Sequence, residues 1–567
     1  MLSIAMLSSL AVVFASSVAY FLHLGYQKRK LVYQLRRDGI PTVDGWSWWT
    51  GHLLVLDGFL KKMPSDVNVL DAWLELFERD PDTNVLLVDL WPMYPPHLMV
   101  WDPEAANQIT VKYNLGKPAG QHKGFTPVVG GESMITMSHE AWKPLRALFN
   151  PGFSGSHMAE LIPAVVDSVE VFCELLRKSA GSALVSLDDL ASRLTMDIIT
   201  KVTLDTNLDN QREEHCASKA LNTILDWHSF WDPRILLNPL RPFVQWYYGS
   251  ILDTFLRTEL QKRYLEMKDT STSVKASGTR RGKSVIALAL DDYLKQQRIG
   301  SSEVALPQQV DESFARLATT QIRLFIFAGN DSTSSTIVYA HHMLHKHPGA
   351  MARLRREHDE VFGSTDAAAQ LKEKPALINK CRYTLAIIKE VIRLFPPAGA
   401  VRGTRHGVSI QDQNDRSYPV SHLESMILHG ILHRHPRYWV RPDDFLPERW
   451  LVDAGHELYP PQNGAYRPFE HGSRNCIGQA LVMNELRIVL ILTARTFDIA
   501  PAYEEWEAKQ RARESWWTKL MRSKNPPIKT VRGERAYQTG RAGAHPADRY
   551  PCHVKLVDRQ SQSHAMG

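Results

Sequence analysis

Five residues at fixed spacing in RPFEHGSRNCIGQALVMNELRIVL could together hold a metal ion through sulfur: Phe469, Gly472, Arg474, Cys476 and Gly478. The apolar spacing that follows predicts a helix over 477–496, which sets Cys476 just before a helix N-terminus. Backbone N–H groups and the helix dipole stabilise an anionic sulfur there and lower the thiol pKa, so the residue is suited to ligate iron. The other cysteines, Cys173, Cys216, Cys381 and Cys552, are widely separated and form no CxxC pair. An odd, scattered set argues against a disulfide framework and suits a reducing, cytosol-facing compartment.

The residues around Cys476 have separable roles. Gly472 and Gly478 allow tight turns and close approach to a flat macrocycle, which a Cβ would obstruct. Phe469 can shield the sulfur from water, and Arg474 can pair with a carboxylate such as a haem propionate. The ordered pattern F-x-x-G-x-R-x-C-x-G resembles that of the cytochrome P450 family. More of the family's pattern recurs in order along the chain. Glu390 and Arg393 in KEVIRLFPP supply E-x-x-R on one helical face, and Arg449 in FLPERW is the expected third member of that buried set. Trp142 and Arg146, four apart on one helix face, match a W-x-x-x-R that contacts a propionate in the family, and Arg402 resembles a further propionate contact. In FIFAGNDSTSST, Asp331, Ser332 and Thr333 resemble the family's acid and alcohols that relay protons to oxygen, with Gly329 as the expected site of a kink. Ser332 stands where the family usually has threonine, and the lost methyl loosens the rotamer.

The resemblance implies a mainly α fold with a small β region, haem b with Cys476 as axial thiolate, and insertion of one atom of O2 into a hydrophobic small molecule. It also implies electrons from an NADPH-dependent flavoprotein reductase on a basic face. A haem-thiolate isomerase or dehydratase, and a silent haem-binding protein, are the rival readings; retention of Asp331, Ser332 and Thr333 argues against the first. The tail GAHPADRYPC and the segment YTLAIIKEVIRLFPPAGAVRG are similar to filamentous-fungal enzymes of secondary metabolism, which points to a polyketide or terpenoid substrate. Hydroxylation, epoxidation and ring cleavage all fit.

Elements that position these residues are legible in outline. VLLVDLW (85–91) and HLMVW (97–101) read as paired strands, and helices are expected at 104–114, 139–149, 157–178, 189–204, 216–231, 246–268, 311–346, 348–361 and 382–394. The polar segment 270–283 reads as a surface loop. Residues 1–26 carry no charge and are long enough to cross a bilayer. Lys28, Arg29 and Lys30 follow, which favours a single-pass anchor in the endoplasmic reticulum with the body in the cytosol; a cleaved secretory signal with a site near Ala19 is the alternative. Domain boundaries are expected as anchor 1–26, linker 27–60 and haem-binding domain 61–567. Residues 230–248 form either an interfacial patch or a buried helix-loop-helix, and with 533–556 they are candidates for an access channel. A net charge of +6 is too small for this length to indicate nucleic-acid binding. SGTRRGKS (277–284) is one residue short of a phosphate loop, and His341, His342, His345 and His347 lack the partners of a zinc site.

Overall fold

The computed structural model describes residues 4–181, 184–230, 232–272, 284–299, 307–513 and 528–557. Among the described residues the fold is mainly α, as expected, with three small sheets. Helices used below are α1 (Ile4–Arg37), α2 (His139–Phe149), α3 (Ile162–Ser179), α4 (Leu187–Leu204), α5 (Cys216–Asp226), α6 (Arg241–Thr272), α7 (Glu312–Lys346), α8 (Arg382–Leu394) and α9 (Gln479–Ala494). The 157–178 expectation divides at Leu161, with Pro163 in the first turn of α3, where its missing N–H costs nothing. The segment 104–114 becomes a short helix, Pro103–Asn107, continued by a π-turn over Gln108–Lys112. The first three residues of the expected loop at 270–283 instead close α6, and the rest of it lies outside the described residues, as does the phosphate-loop-like run except Ser284.

Strands β1 (Val85–Val88), β2 (His97–Val100), β4 (Ala400–Arg402) and β7 (Glu424–Ile427) form a sheet of order β1-β2-β7-β4. β2 and β7 are parallel, with His97 opposite Glu424, and the other pairings are antiparallel. β3 (Val185–Ser186), β9 (Pro551–Leu556) and β8 (Phe497–Pro501) form a second sheet, and β5 (Ser409–Gln411) pairs with β6 (Ser417–Pro419). The sheet end at β4 delivers Arg402, and β9 ties the C-terminal segment beside α7.

α7 runs through the centre of the large hydrophobic core. Between Ala318 and Leu344 only Ala328, Gly329 and Ser332 are not buried, and they lie within about one turn. A helix buried on every other side that keeps surface at one place lines an internal cavity. α7 is continuous through Gly329, so the glycine has a role other than breaking the helix. A Cβ there would lie 2.7 Å from Ile199 Cδ1, and the bare glycine lets α4 pack against α7.

α1 does not stop at residue 26. Its first half is exposed, while Val32 is fully buried and Arg29 is ion-paired with Asp89 and donates to the Trp91 carbonyl at 2.9 Å. The stretch expected as a linker is therefore structured, and the basic triplet is partly consumed in docking the helix. α1 is the one helix among the described residues long and apolar enough to cross a membrane. Leu237, Phe243 and Trp246 are 82%, 71% and 73% exposed, which supports the interfacial alternative for 230–248 over a buried helix-loop-helix.

Substituting Gly329→Ala should destabilise the fold by about 1–3 kcal/mol through overpacking on Ile199. Adding Ile199→Ala should recover part of that loss in thermal denaturation, whereas additive losses would place the strain elsewhere.

Candidate active site

The thiolate loop is held by its own backbone and by buried charge. The Cys476 N–H donates to the Phe469 carbonyl at 2.8 Å, and Asn475 N–H to the Gly472 carbonyl at 3.2 Å. Gly472 has φ +83°, and a Cβ there would meet the Thr110 carbonyl oxygen at 2.4 Å. The Gly472 backbone is pressed against the π-turn over Gln108–Lys112, an approach that a Cβ would obstruct. Gly478 has an ordinary φ of −83° and its N–H faces the sulfur, so its value is as a donor in the turn before α9. α9 itself begins at Gln479, two residues later than expected.

Protein surrounds Cys476 closely, yet its side chain remains accessible, which places it on an internal surface. Burial raises the thiol pKa; N–H groups of Gly478 and Gln479 and the Arg146 charge pull it back, without reversing the shift. The expected lowering by the helix end is real but outweighed. A cation bonded to the sulfur would tip the balance to thiolate. Arg146 donates to the Asn475 carbonyl at 2.8 Å and to its Oδ1 at 2.9 Å. Two of the five Arg146 N–H groups are thus engaged by the thiolate loop, which leaves donors for the propionate contact that the resemblance implies. Trp142 lies under Arg474, with the guanidinium carbon 4.7 Å from the ring centroid.

Glu390, Arg393 and Arg449 form the expected set and are 0–1% exposed. Five donors converge on the Glu390 carboxylate: Arg393 Nε and a terminal nitrogen, Arg449 Nε, Trp450 Nε1 and Leu446 N, all at 2.8–3.0 Å. Arg393 also donates to the carbonyls of His433, Pro442 and Asp444. His433 Nδ1 lies 3.2 Å from the Arg393 carbonyl and its Nε2 accepts from Arg467 N. These partners fix the Nδ1–H tautomer, and burial keeps the ring neutral. The chain of contacts runs from Glu390 through Arg393 and His433 into Arg467, then to Glu470, whose carboxyl is held well down by His429, Arg467 and Arg402 against the effect of burial.

Arg402, Arg474 and Lys117 form a cationic cluster with unspent donors. Arg402 is 1% exposed and its Nε has no partner; Arg474 Nε and one terminal nitrogen have none either. Burial, then Arg402 and Arg474, push the Lys117 ammonium well below the ordinary lysine range. Gly403 N donates to the Gly116 carbonyl at 2.7 Å, which brings the Lys117 loop against β4. The buried Arg402 and half-buried Arg474, both with idle N–H groups, and Lys117 close by stand near an accessible thiol, a donor set that fits a flat iron chelate carrying two carboxylates. Lys117 was missed at sequence level because it stands in no motif; an isolated lysine before Pro118 offers no signal.

On α7, Ser332 donates to the Ala328 carbonyl at 2.8 Å and shares the accessible face with it. Thr333 is 2% exposed and turned into the core, and Asp331 faces away from Ser332, its Oδ1 2.9 Å from His545 Nε2. The three residues expected to act together therefore point in different directions, as consecutive helical positions do. The histidines once weighed as a zinc set are spent otherwise: His341 on Thr493, His342 on Tyr550, and His347 beside the Phe445 ring.

The sequence profile of the family described as Cytochrome P450 matches residues 86–527. The chain belongs to the cytochrome P450 family. It is 35% identical to cytochrome P450 monooxygenase polC of Polytolypa hystricis, over 96% of this chain and 94% of that one. It is 30% identical to cytochrome P450 monooxygenase acrF of Aspergillus aculeatus, covering 75% and 86%, and 25% identical to cytochrome P450 3A6 of Oryctolagus cuniculus, covering 81% and 92%. The heme domain of cytochrome P450DA shares the fold at 16% identity, with a TM-score of 0.66 over 92% of this chain and 98% of that one. The protein is a cytochrome P450 monooxygenase, and the family's cofactor is haem bound through a cysteine thiolate.

Arg402→Leu should speed haem loss to a scavenging apo-globin by about 10- to 100-fold, the equivalent of one charge-assisted hydrogen bond of about 1.5–3 kcal/mol. Unchanged haem loss would remove Arg402 from the carboxylate-binding set. Glu390→Gln should cost about 3–5 kcal/mol in denaturant unfolding, because two buried guanidinium groups lose their shared anion.

Proposed function

We propose that this P450 is a membrane-anchored enzyme that inserts one atom of O2 into a hydrophobic fungal secondary metabolite of the polyketide or terpenoid class. Electrons come one at a time from NADPH through a flavoprotein reductase. The observation that carries the reading is the accessible, enclosed Cys476 thiol beside the idle donors of Arg402 and Arg474. Cys476 would ligate the iron, Arg402, Arg474 and Lys117 would hold the two propionates, and Trp142 supports Arg474 from beneath. When bound, the haem supplies activation of O2 and transfer of one oxygen atom to an unreactive carbon.

The remaining work falls to the chain's own residues. Arg146 and the N–H groups of Gly478 and Gln479 offset negative charge on the Cys476 sulfur. The Ser332 hydroxyl stands on the accessible face of α7, where it can turn from the Ala328 carbonyl to donate a hydrogen bond into the site. Ser332, lacking a methyl, holds this orientation less tightly than threonine would. α1 serves as the anchor in the endoplasmic reticulum membrane with the body in the cytosol; residues 61–567 form the monooxygenase domain, and the exposed apolar residues near Phe243 rest against lipid.

The deciding experiment is the dithionite-reduced, carbon-monoxide difference spectrum of the wild type beside Cys476→Ala. A strongly red-shifted Soret band in the wild type alone is expected; its absence from folded, haem-replete wild type would overturn the assignment.

A further inference from the structure

His545 belongs to the C-terminal segment and is 2% exposed. Its Nε2 is 2.9 Å from Asp331 Oδ1 on α7, and its Nδ1 is 2.6 Å from Asp188 Oδ1 on α4. The side chains of Asp188 and Asp331 are 1% and 5% exposed. Each ring nitrogen faces a carboxylate, an arrangement that favours protons on both, making the group an imidazolium. Burial by itself would depress its pKa, and the two carboxylates override that, raising it to about 9.

The surroundings are built for this contact. Gly543 has φ +70°, and a Cβ there would lie 2.5 Å from Asp331 Oδ2; its carbonyl accepts from Ser335 Oγ at 2.8 Å. The other charges facing the cluster are Asp189 on α4, Asp226 on α5, and Arg541 and Arg549 from the C-terminal segment. Arg541 stands 3.8 Å from Asp188. Nothing in the structural role of a core histidine requires two ionised partners, one of them adjacent in sequence to the hydroxyl on the accessible face of α7.

We propose that His545 is a positioning residue for Asp331: clamped between two carboxylates, it holds Asp331 away from the Ser332 face and frees it by handing over a proton. The inference rests on the reading of α7 as the oxygen-side helix. In the step, the His545 Nε2–H bond breaks and an O–H bond forms on Asp331 Oδ1. His545 is left neutral, still donating Nδ1–H to Asp188, and Asp331 becomes an uncharged acid released from its ion pair. Once Asp331 has passed that proton into the site and is again a carboxylate, a proton taken up from solvent restores the imidazolium and the ion pair.

The test uses the haem-loaded full chain as wild type, His545→Gln, His545→Arg and Asp188→Asn. Thermal unfolding against pH reads the clamp without turnover. Because the folded-state value lies above the ordinary 6.5, the stabilisation is full below about 6.5 and lost as pH rises through about 9. Wild type should lose stability across that window, His545→Gln should not, and Asp188→Asn should move the loss to lower pH. Parallel wild-type and His545→Gln curves would overturn the clamp. The second readout is peroxide released per NADPH consumed. His545→Gln and His545→Arg should both release several-fold more, although His545→Arg keeps the charge, because a guanidinium does not surrender its proton. Wild-type coupling in His545→Arg would overturn the hand-over. A wild type without the red-shifted carbon-monoxide band would defeat the monooxygenase reading instead, and the stability curves would still decide the clamp.

Discussion

The Glu390 carboxylate is the point on which the active-site architecture depends. It accepts from five donors on two chain segments, so α8 and the loop at 440–450 cannot move independently. A buried ion set of this kind contributes less to net stability than its Coulomb energy implies, since desolvation consumes most of the gain. What it does specify is geometry. Arg393 passes the constraint to the His433 carbonyl, and the His433 ring passes it to Arg467 at the entrance of the thiolate loop. Cys476 is thus located by contacts that begin outside its own loop.

A second constraint acts from the other side of the site. α7 is buried over most of its length, and its packing on α4 depends on the absence of one side chain, at Gly329. The C-terminal segment depends on a similar absence at Gly543, where a Cβ would strike the Asp331 carboxylate. With α4, α7 and the C-terminal segment fixed together, Asp188, Asp331 and His545 come within hydrogen-bond distance despite lying in three distant parts of the chain.

Much of this was legible in the sequence because it is local. The thiolate pattern, the E-x-x-R pair and the helices at 139–149 and 382–394 are written in spacing alone, and the structure reproduces both helices residue for residue. Tertiary pairing was not legible. Arg146 sits in a recognisable motif, yet its direction is set by Asn475, 329 residues away. Lys117 acquires its significance only when Gly403 brings β4 against it, and His545 only when Asp188 and Asp331 flank it. The length of α1 was misjudged for a related reason. Charged residues at 28–30 read as the end of an apolar helix, but Arg29 finds a buried anion in Asp89 and the helix continues.

The cluster of Lys117, Arg402 and Arg474 has a consequence for the life of the protein in the cell. Like charges gathered in a desolvated place repel one another until an anion joins them, so folding and cofactor capture draw on one free energy. A newly made chain short of haem carries that repulsion as a standing defect, and quality-control proteases act on the fraction it opens. The abundance of this enzyme should then follow the supply of haem, so that three side chains near the thiolate loop also meter how much protein survives to use it.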